Sequence, residues 1–421
     1  MGQARGKRRK PGYVRTDVIP LLTTEASLKR SIRRHLRGLG FTLNQNGLDA
    51  GELSKVQIRS LHRAQRKERL HPPGVLAESW RTMSCHFAAG DEVSPSLITP
   101  RLEIIKSGSW QSELFAFASL YWSVPISQGY GRRLRFLCWD QATGKLMGLL
   151  ALGDPVFNLS VRDNLIGWSG QDRKARLSAV MDAYVLGALP PYNQLLAGKL
   201  IACLLRSREI VQTFKDRYRG RDAIMSQKQH AGELALITTS SALGRSSVYN
   251  RLTLGGQKYL THVGSTKGYG HFHIPQTLFN KMRAYLEAQG HEYAHGHAFG
   301  QGPNWRMRVI REALTSLGLS PKILRHGIPR EVYICELGEH GIEFLRGTRK
   351  RIDRSSVLTV DQIAEQALAR WVIPRAMRDS SYRTWSPNDT YAEICAPYRS
   401  FADPVQSVDQ QEQGANRVPA N

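Results

Sequence analysis

LRFLCWDQATGKLMGLLAL, residues 134–152, is the stretch whose reading decides the fold. Leu134–Trp139 and Leu146–Leu152 are apolar runs of strand length, and Asp140–Lys145 (DQATGK) between them is rich in turn formers, so the spacing predicts an antiparallel hairpin. Working outward, Asn164–Trp168 reads as a short strand and Asp172–Met181 as a short helix. Ala183–Leu189 reads as a strand closed by Pro190-Pro191. Leu195–Tyr218 reads as one long helix, apolar almost all round in its first half and therefore buried there. Leu234–Thr239 and Tyr259–Val263 follow as strands and Thr277–Gln289 as a helix. Together they predict an α+β fold with a central mixed sheet over residues 131–290.

The flanks read differently. Residues 1–20 form a basic arm carrying Arg5, Lys7, Arg8, Arg9 and Lys10. Residues 21–130 read as a basic, mainly helical module. Its first helix, Thr23–Gly38, sets Leu28, Ile32 and Leu36 on one face and Lys29, Arg30, Arg33, Arg34 and Arg37 on the other. A second is expected to start at Asp49, with Glu52 as capping partner, and to end at Pro72-Pro73. Such a pair suits phosphate contact rather than the reading of base edges. Residues 291–380 read as an α+β extension, with a basic helix at Trp305–Leu317, a hairpin over Arg330–Leu345 and a helix at Val360–Trp371. Residues 381–421 read as a tail, largely disordered.

Bulk numbers narrow the function. A net charge of +24 over 421 residues points to a polyanionic partner. The five cysteines are scattered and form no C-x-x-C, which argues against a disulfide framework or a thiolate zinc site. No apolar core follows the charged start, as a secretory signal would require. Leu114–Ile126 is short of a membrane span, and Leu195–Leu205 is interrupted by Lys199. A soluble, cytoplasmic protein is expected.

Three constellations could carry chemistry. The order of strands and helices resembles the acetyl-CoA-dependent N-acetyltransferase superfamily, in which a loop and helix N-terminus after a splayed strand cradle a pyrophosphate. Here that loop would offer Gln194, Ala197 and Gly198, although Gln194-x-x-Ala197-x-Lys199 departs from the superfamily's Gln/Arg-x-x-Gly-x-Gly/Ala. Tyr249 stands where that superfamily places a general acid. A packed tyrosine with a satisfied hydroxyl is the plainer reading. Next, Gly264–Gly270 (GSTKGYG) is not a Walker A loop but would suit a phosphate nest around Lys267. Finally, His271-Phe272-His273 would put two imidazoles on one face if extended, the metal pair of a rolling-circle nickase, with Tyr285 as its nucleophile. His291, His295 and His297 form a second histidine group. Arg33, Arg34, Arg66, Arg245 and Lys267 are the candidate nucleic-acid contacts. No cofactor is singled out.

Long motifs carry a more specific likeness: GWSGQDRK at Gly167–Lys174, LGALPPYNQLLAGKL at Leu186–Leu200, FKDRY at Phe214–Tyr218, SALGRSSVYNRL at Ser241–Leu252 and GSTKGYGHFHIP at Gly264–Pro275. With these the chain resembles the DruA family of multi-gene Druantia anti-phage defence systems. The resemblance implies a cytoplasmic bacterial defence protein with DNA as a partner. It also implies partners encoded in the same gene cluster, including a large helicase-like protein. It assigns no biochemical activity, and leaves sensing, modifying and cutting open.

Overall fold

The computed structural model describes residues 19–126, 131–223, 228–229, 231–295 and 303–398. Most of the basic arm, His297 and residues 399–421 lie outside the described residues. The chain divides into two compact units, Met1–Gln57 with Lys267–Pro329, and Ile58–Thr266 with Arg330–Asn421.

The larger unit is built on a seven-stranded sheet. Its strands are β1 (Pro100–Ile104), β2 (Arg133–Asp140), β3 (Lys145–Gly153), β4 (Val180–Ala188), β5 (Leu236–Ser241), β6 (Thr261–Ser265) and β7 (Glu331–Glu336). They lie in the order β6-β7-β5-β4-β3-β2-β1. The predicted hairpin is β2–β3, paired from Arg133 with Gly153 to Asp140 with Lys145. All neighbours run antiparallel except β4 and β5, which run parallel. The fold is therefore α+β with a mixed sheet.

A parallel pair needs a crossover connection, and the segment between β4 and β5 supplies it. Leu200, Ile201, Leu204, Ile210 and Phe214 are fully buried against one face of the sheet, with Met147, Leu150, Leu152, Ile237, Tyr333 and Cys335. The expected long helix is in fact two, Ala197–Leu204 and Arg208–Tyr218. The break has a local and a long-range cause. Ser207 caps the second helix by accepting from the Ile210 N–H, and the buried Arg206 guanidinium donates to the carbonyls of Glu336 and Ser356 and to the Ser356 hydroxyl. FKDRY sits on the second helix. There Phe214 and Tyr218 hold the Arg132 guanidinium 5.5 and 5.6 Å from their ring centres.

Other expectations need correction. Asn164–Trp168 is not a strand. It ends a helix, Ser160–Ile166, stopped by Gly167 in the left-handed region at φ 82°. GWSGQDRK is a joint: Ser169 and Asp172 form a capping box, and the Trp168 indole N–H donates to Leu345 O at 2.8 Å. Arg330–Leu345 is not a hairpin either. β7 pairs with β5 and β6, and the chain then turns through His340 (φ 64°) into a helix, Gly341–Arg346. Part of the expected tail is ordered, because Ser386 and Asp389 cap a helix, Pro387–Cys395, that buries Ile394.

The smaller unit contains helices at Ile19–Gly38, Gln276–Ala288 and Pro303–Ser316. Leu28, Ile32 and Leu36 are buried as their spacing predicts. No helix starts at Asp49. Thr42–Asn44 and Gly47–Asp49 form a two-stranded hairpin. The capping box lies further on, with Ser54 and Gln57 exchanging hydrogen bonds of 2.8 and 3.3 Å.

One buried charge cluster fixes the turn before β4. Asp163, 4% exposed, accepts from Arg162 at 2.8 and 2.6 Å and from Arg173 at 3.0 Å, while Arg162 is itself fully buried. Asp163→Ala would strand the Arg162 charge, so urea unfolding should show a loss of roughly 3–5 kcal/mol. A loss below about 1 kcal/mol, the range of surface substitutions, would mean that the pair is dispensable.

Candidate functional site

β4 and β5 pair over only four residue pairs, from Val180 with Leu236 to Ala183 with Thr239. Beyond that point β4 continues to Ala188 without β5 beside it. Gln194–Gly198 follows the end of β4, and Tyr249 meets β4 at Leu186. After the cis Pro190-Pro191 bond, Tyr192 is buried and its hydroxyl bonds with Asp140 and Thr143. Leu196 is left-handed (φ 60°), and the helix starts at Ala197.

Of the five backbone N–H groups in Gln194–Gly198, those of the first four are already engaged. The N–H of Gln194 donates to Pro191 O, those of Leu195 and Ala197 to Tyr192 O, Leu196 to Asn193 O and Lys199 to Leu196 O, all at 3.0–3.2 Å. The gap between the strands holds the Tyr249 ring, packed edge-on to Tyr333 at 5.7 Å. Its hydroxyl donates to Leu186 O at 2.8 Å, and burial pushes its pKa well above the ordinary phenol value. Val248 lies 3.8 Å from where a Cβ on Gly198 would be.

The histidine pair is arranged differently from its expectation. His271–Ile274 is a turn closed by the Ile274 N–H on His271 O at 3.0 Å, so strand alternation does not apply. His273 is 2% exposed, packs against Phe41, Phe272 and His326, and neither ring nitrogen makes a hydrogen bond of regular geometry. Burial pushes His271 down to about 4 and His273 to about 3, so both are neutral at pH 7. Tyr285 is buried on the helix Gln276–Ala288. Among the described residues no group of three or more His, Cys, Asp or Glu side chains is placed to hold a metal ion.

Of the basic candidates, Arg33, Arg34, Arg245 and Lys267 are exposed. Arg66 is not. Its guanidinium donates to Glu393 O at 2.7 Å and Leu120 O at 3.5 Å, a tie within the larger unit. In the glycine loop, two of the N–H groups that a phosphate nest would need are taken, Thr266 by Arg330 O and Gly270 by Leu324 O, both at 2.9 Å.

Sequence reasoning missed Asp182. It lies on β4, and its carboxylate accepts from the Thr238 hydroxyl at 2.6 Å. Burial raises it to about 6, against the Thr238 hydrogen bond and the charges of Arg162 and Arg330. The signal was an acid inside the apolar run VMDAYVLGA.

Comparison with known proteins places this architecture in a family. The model of the Druantia protein DruA matches residues 52–347, which include all seven strands of the sheet. The chain belongs to the DruA family, whose members are components of the Druantia anti-phage defence system. A DruA from Escherichia coli (strain UMEA 4076-1) is 49% identical over 377 residues, covering 89% of this chain and 93% of that protein. No solved structure matches the chain.

Two outcomes check this geometry. Tyr249→Phe removes one buried hydrogen bond and should lower stability by about 1 kcal/mol. A neutral effect on the melting curve would show that the Leu186 carbonyl finds another donor. Asp182, with a folded pKa above its unfolded value, binds its proton more tightly when folded, so its charge opposes folding above about pH 6 and the penalty fades toward pH 4. Asp182→Asn should therefore stabilise at pH 8 by roughly 1–3 kcal/mol, with little gain at pH 4. An equal effect at both pH values would contradict the buried-carboxylate account.

Proposed function

We propose that this chain is the nucleic-acid-contacting member of its defence system and grips the phosphate backbone of phage DNA with its smaller unit. The observation that carries this reading is the distribution of charge. The smaller unit holds 20 Lys and Arg against 7 Asp and Glu, net +13 of the chain's +24, in 120 of 421 residues. On its first helix Arg30, Arg33, Arg34 and Arg37 are exposed, and none is in ion-pair contact with a described carboxylate. Side chains of this kind are available to phosphates and displace condensed counterions when they bind.

The sheet unit serves in this reading as a scaffold. Four of the five N–H groups of Gln194–Gly198 are engaged and Tyr249 fills the splay, which favours a binding role over acyl transfer. Coenzyme A should accordingly leave the melting temperature unchanged, since a ligand that binds only the folded state must raise it. The nickase reading has less support, given the turn at His271–Ile274. Products of the same gene cluster, a helicase-like protein among them, and a cytoplasmic setting complete the proposal. No described helix is long and apolar enough to cross a membrane.

Fluorescence anisotropy with duplex DNA over a salt series tests it. Log affinity should fall linearly with log salt, and Arg33→Ala/Arg34→Ala should flatten the slope by roughly 1.8, about 0.9 per phosphate contact. Absence of binding at low salt, or an unchanged slope in the double variant, would overturn the assignment to this helix face.

A further inference from the structure

The larger unit carries a second feature suited to nucleic acid. A cleft of about 610 Å³ opens beside the edge strand β1, lined by Arg101, Glu103, His86, Trp110 and Trp139 among others. Trp110 is 52% exposed, unusual for so large an apolar side chain. His86 stacks on it, with ring centres 5.1 Å apart and planes at 18°. Trp139 stands 6.3 Å from Trp110 at 54° and packs edge-on to His86. Three aromatic rings thus form one wall, and burial keeps His86 below its ordinary pKa, so this wall is uncharged at neutral pH.

The polar side of the cleft is equally defined. Glu103 Oε2 accepts from the Trp139 indole N–H at 2.6 Å, and Oε1 from the Gln111 amide at 3.2 Å. Both contacts fix the carboxylate, and each oxygen keeps acceptor capacity. Asp140, also at the cleft, is already committed to Thr99, Ala142, Thr143 and Tyr192. Arg101 lies two residues from Glu103, on the same face of β1, and is exposed.

We infer that this cleft is a base-binding subsite for single-stranded nucleic acid, in which Trp110 stacks a base, Glu103 reads its edge and Arg101 meets the adjoining phosphate. The inference rests on the nucleic-acid reading above but uses a different unit and different residues. A carboxylate accepts only, so it favours bases that present N–H groups side by side. Guanine offers N1–H and N2–H together. Thymine offers one N3–H flanked by carbonyl oxygens that the carboxylate repels. Stacking on an aromatic ring supplies affinity whatever the base.

The test uses the full chain with single-stranded 12-mers, one all thymine and one with guanines placed in the same thymine background, and the guanine strand's duplex. Tryptophan fluorescence and anisotropy are read at low salt. The guanine strand should bind several-fold more tightly than the thymine strand and quench tryptophan emission. Trp110→Ala should weaken both strands roughly 10-fold, Trp110→Phe less. Glu103→Gln should remove the guanine preference and keep the thymine affinity. If wild type binds no nucleic acid at low salt, the parent reading fails and this inference falls with it. If wild type binds but Trp110→Ala, folded by circular dichroism, binds all strands as wild type does, the subsite alone is overturned. Loss of association with another component of the defence system on Trp110→Ala, with strand binding intact, would overturn it in favour of a protein-docking surface.

Discussion

The short parallel contact between β4 and β5 is the constraint on which the larger unit depends. Strands β1 to β4 form an antiparallel succession that tight turns can connect, but β5 lies parallel to β4, and no tight turn can join them. The chain must cross a face of the sheet, and its two crossing helices bring the apolar side chains that make that face the main core. The same contact breaks off at Ala183 and Thr239. Past it, the right-handed twist of the sheet carries the two strands apart. An open wedge in a protein interior must be filled or solvated, and here the Tyr249 ring fills it, with its one polar atom matched to a carbonyl that β4 would otherwise have offered to a neighbour.

Much of the larger unit was legible because its strands are buried on both faces and read as unbroken apolar runs bounded by turn residues. β2, β3, β4 and β5 fall close to their expected positions for that reason. Errors cluster where long-range contacts decide local structure. Leu165, Ile166 and Trp168 look like a strand in isolation, and only the buried Arg162 and Asp163, held by partners some residues away, make the segment helical. The interruption at Arg206 is set by carbonyls on residues 336 and 356, which no window of sequence contains. The strand at 331–336 was found but given the wrong neighbour, since pairing with β5 and β6 leaves no local trace.

Candidate residues were less legible than elements. Residue type and spacing singled out the loop at 190–198 and Tyr249, and in the structure the Tyr249 hydroxyl bonds to β4 at Leu186. Sequence does not reveal whether a backbone N–H is free or bonded, and that distinction decides what the loop can hold. Arg66 looked like its exposed neighbours on a basic helix, yet tertiary carbonyls claim its guanidinium. Residue type alone does not separate Trp110, which is half exposed, from Trp139, which is buried. Charge was the one functional property fully present in composition, though its concentration in a unit made of two distant segments was not.

The second of those segments, residues 267–329, leaves the sheet between two strands that are direct neighbours. Ser265 faces Glu331 in the β6–β7 ladder, and Thr266 N–H bonds to Arg330 O. The departure and return points are therefore as close as the ends of an ordinary hairpin turn. Sixty-three residues hang from a position where two would suffice to keep the register. Such an attachment lets sequence within the segment diverge while the sheet's pairing stays intact. Lineages under pressure from changing phages could thus remodel the charged part of the molecule at a rate independent of its framework.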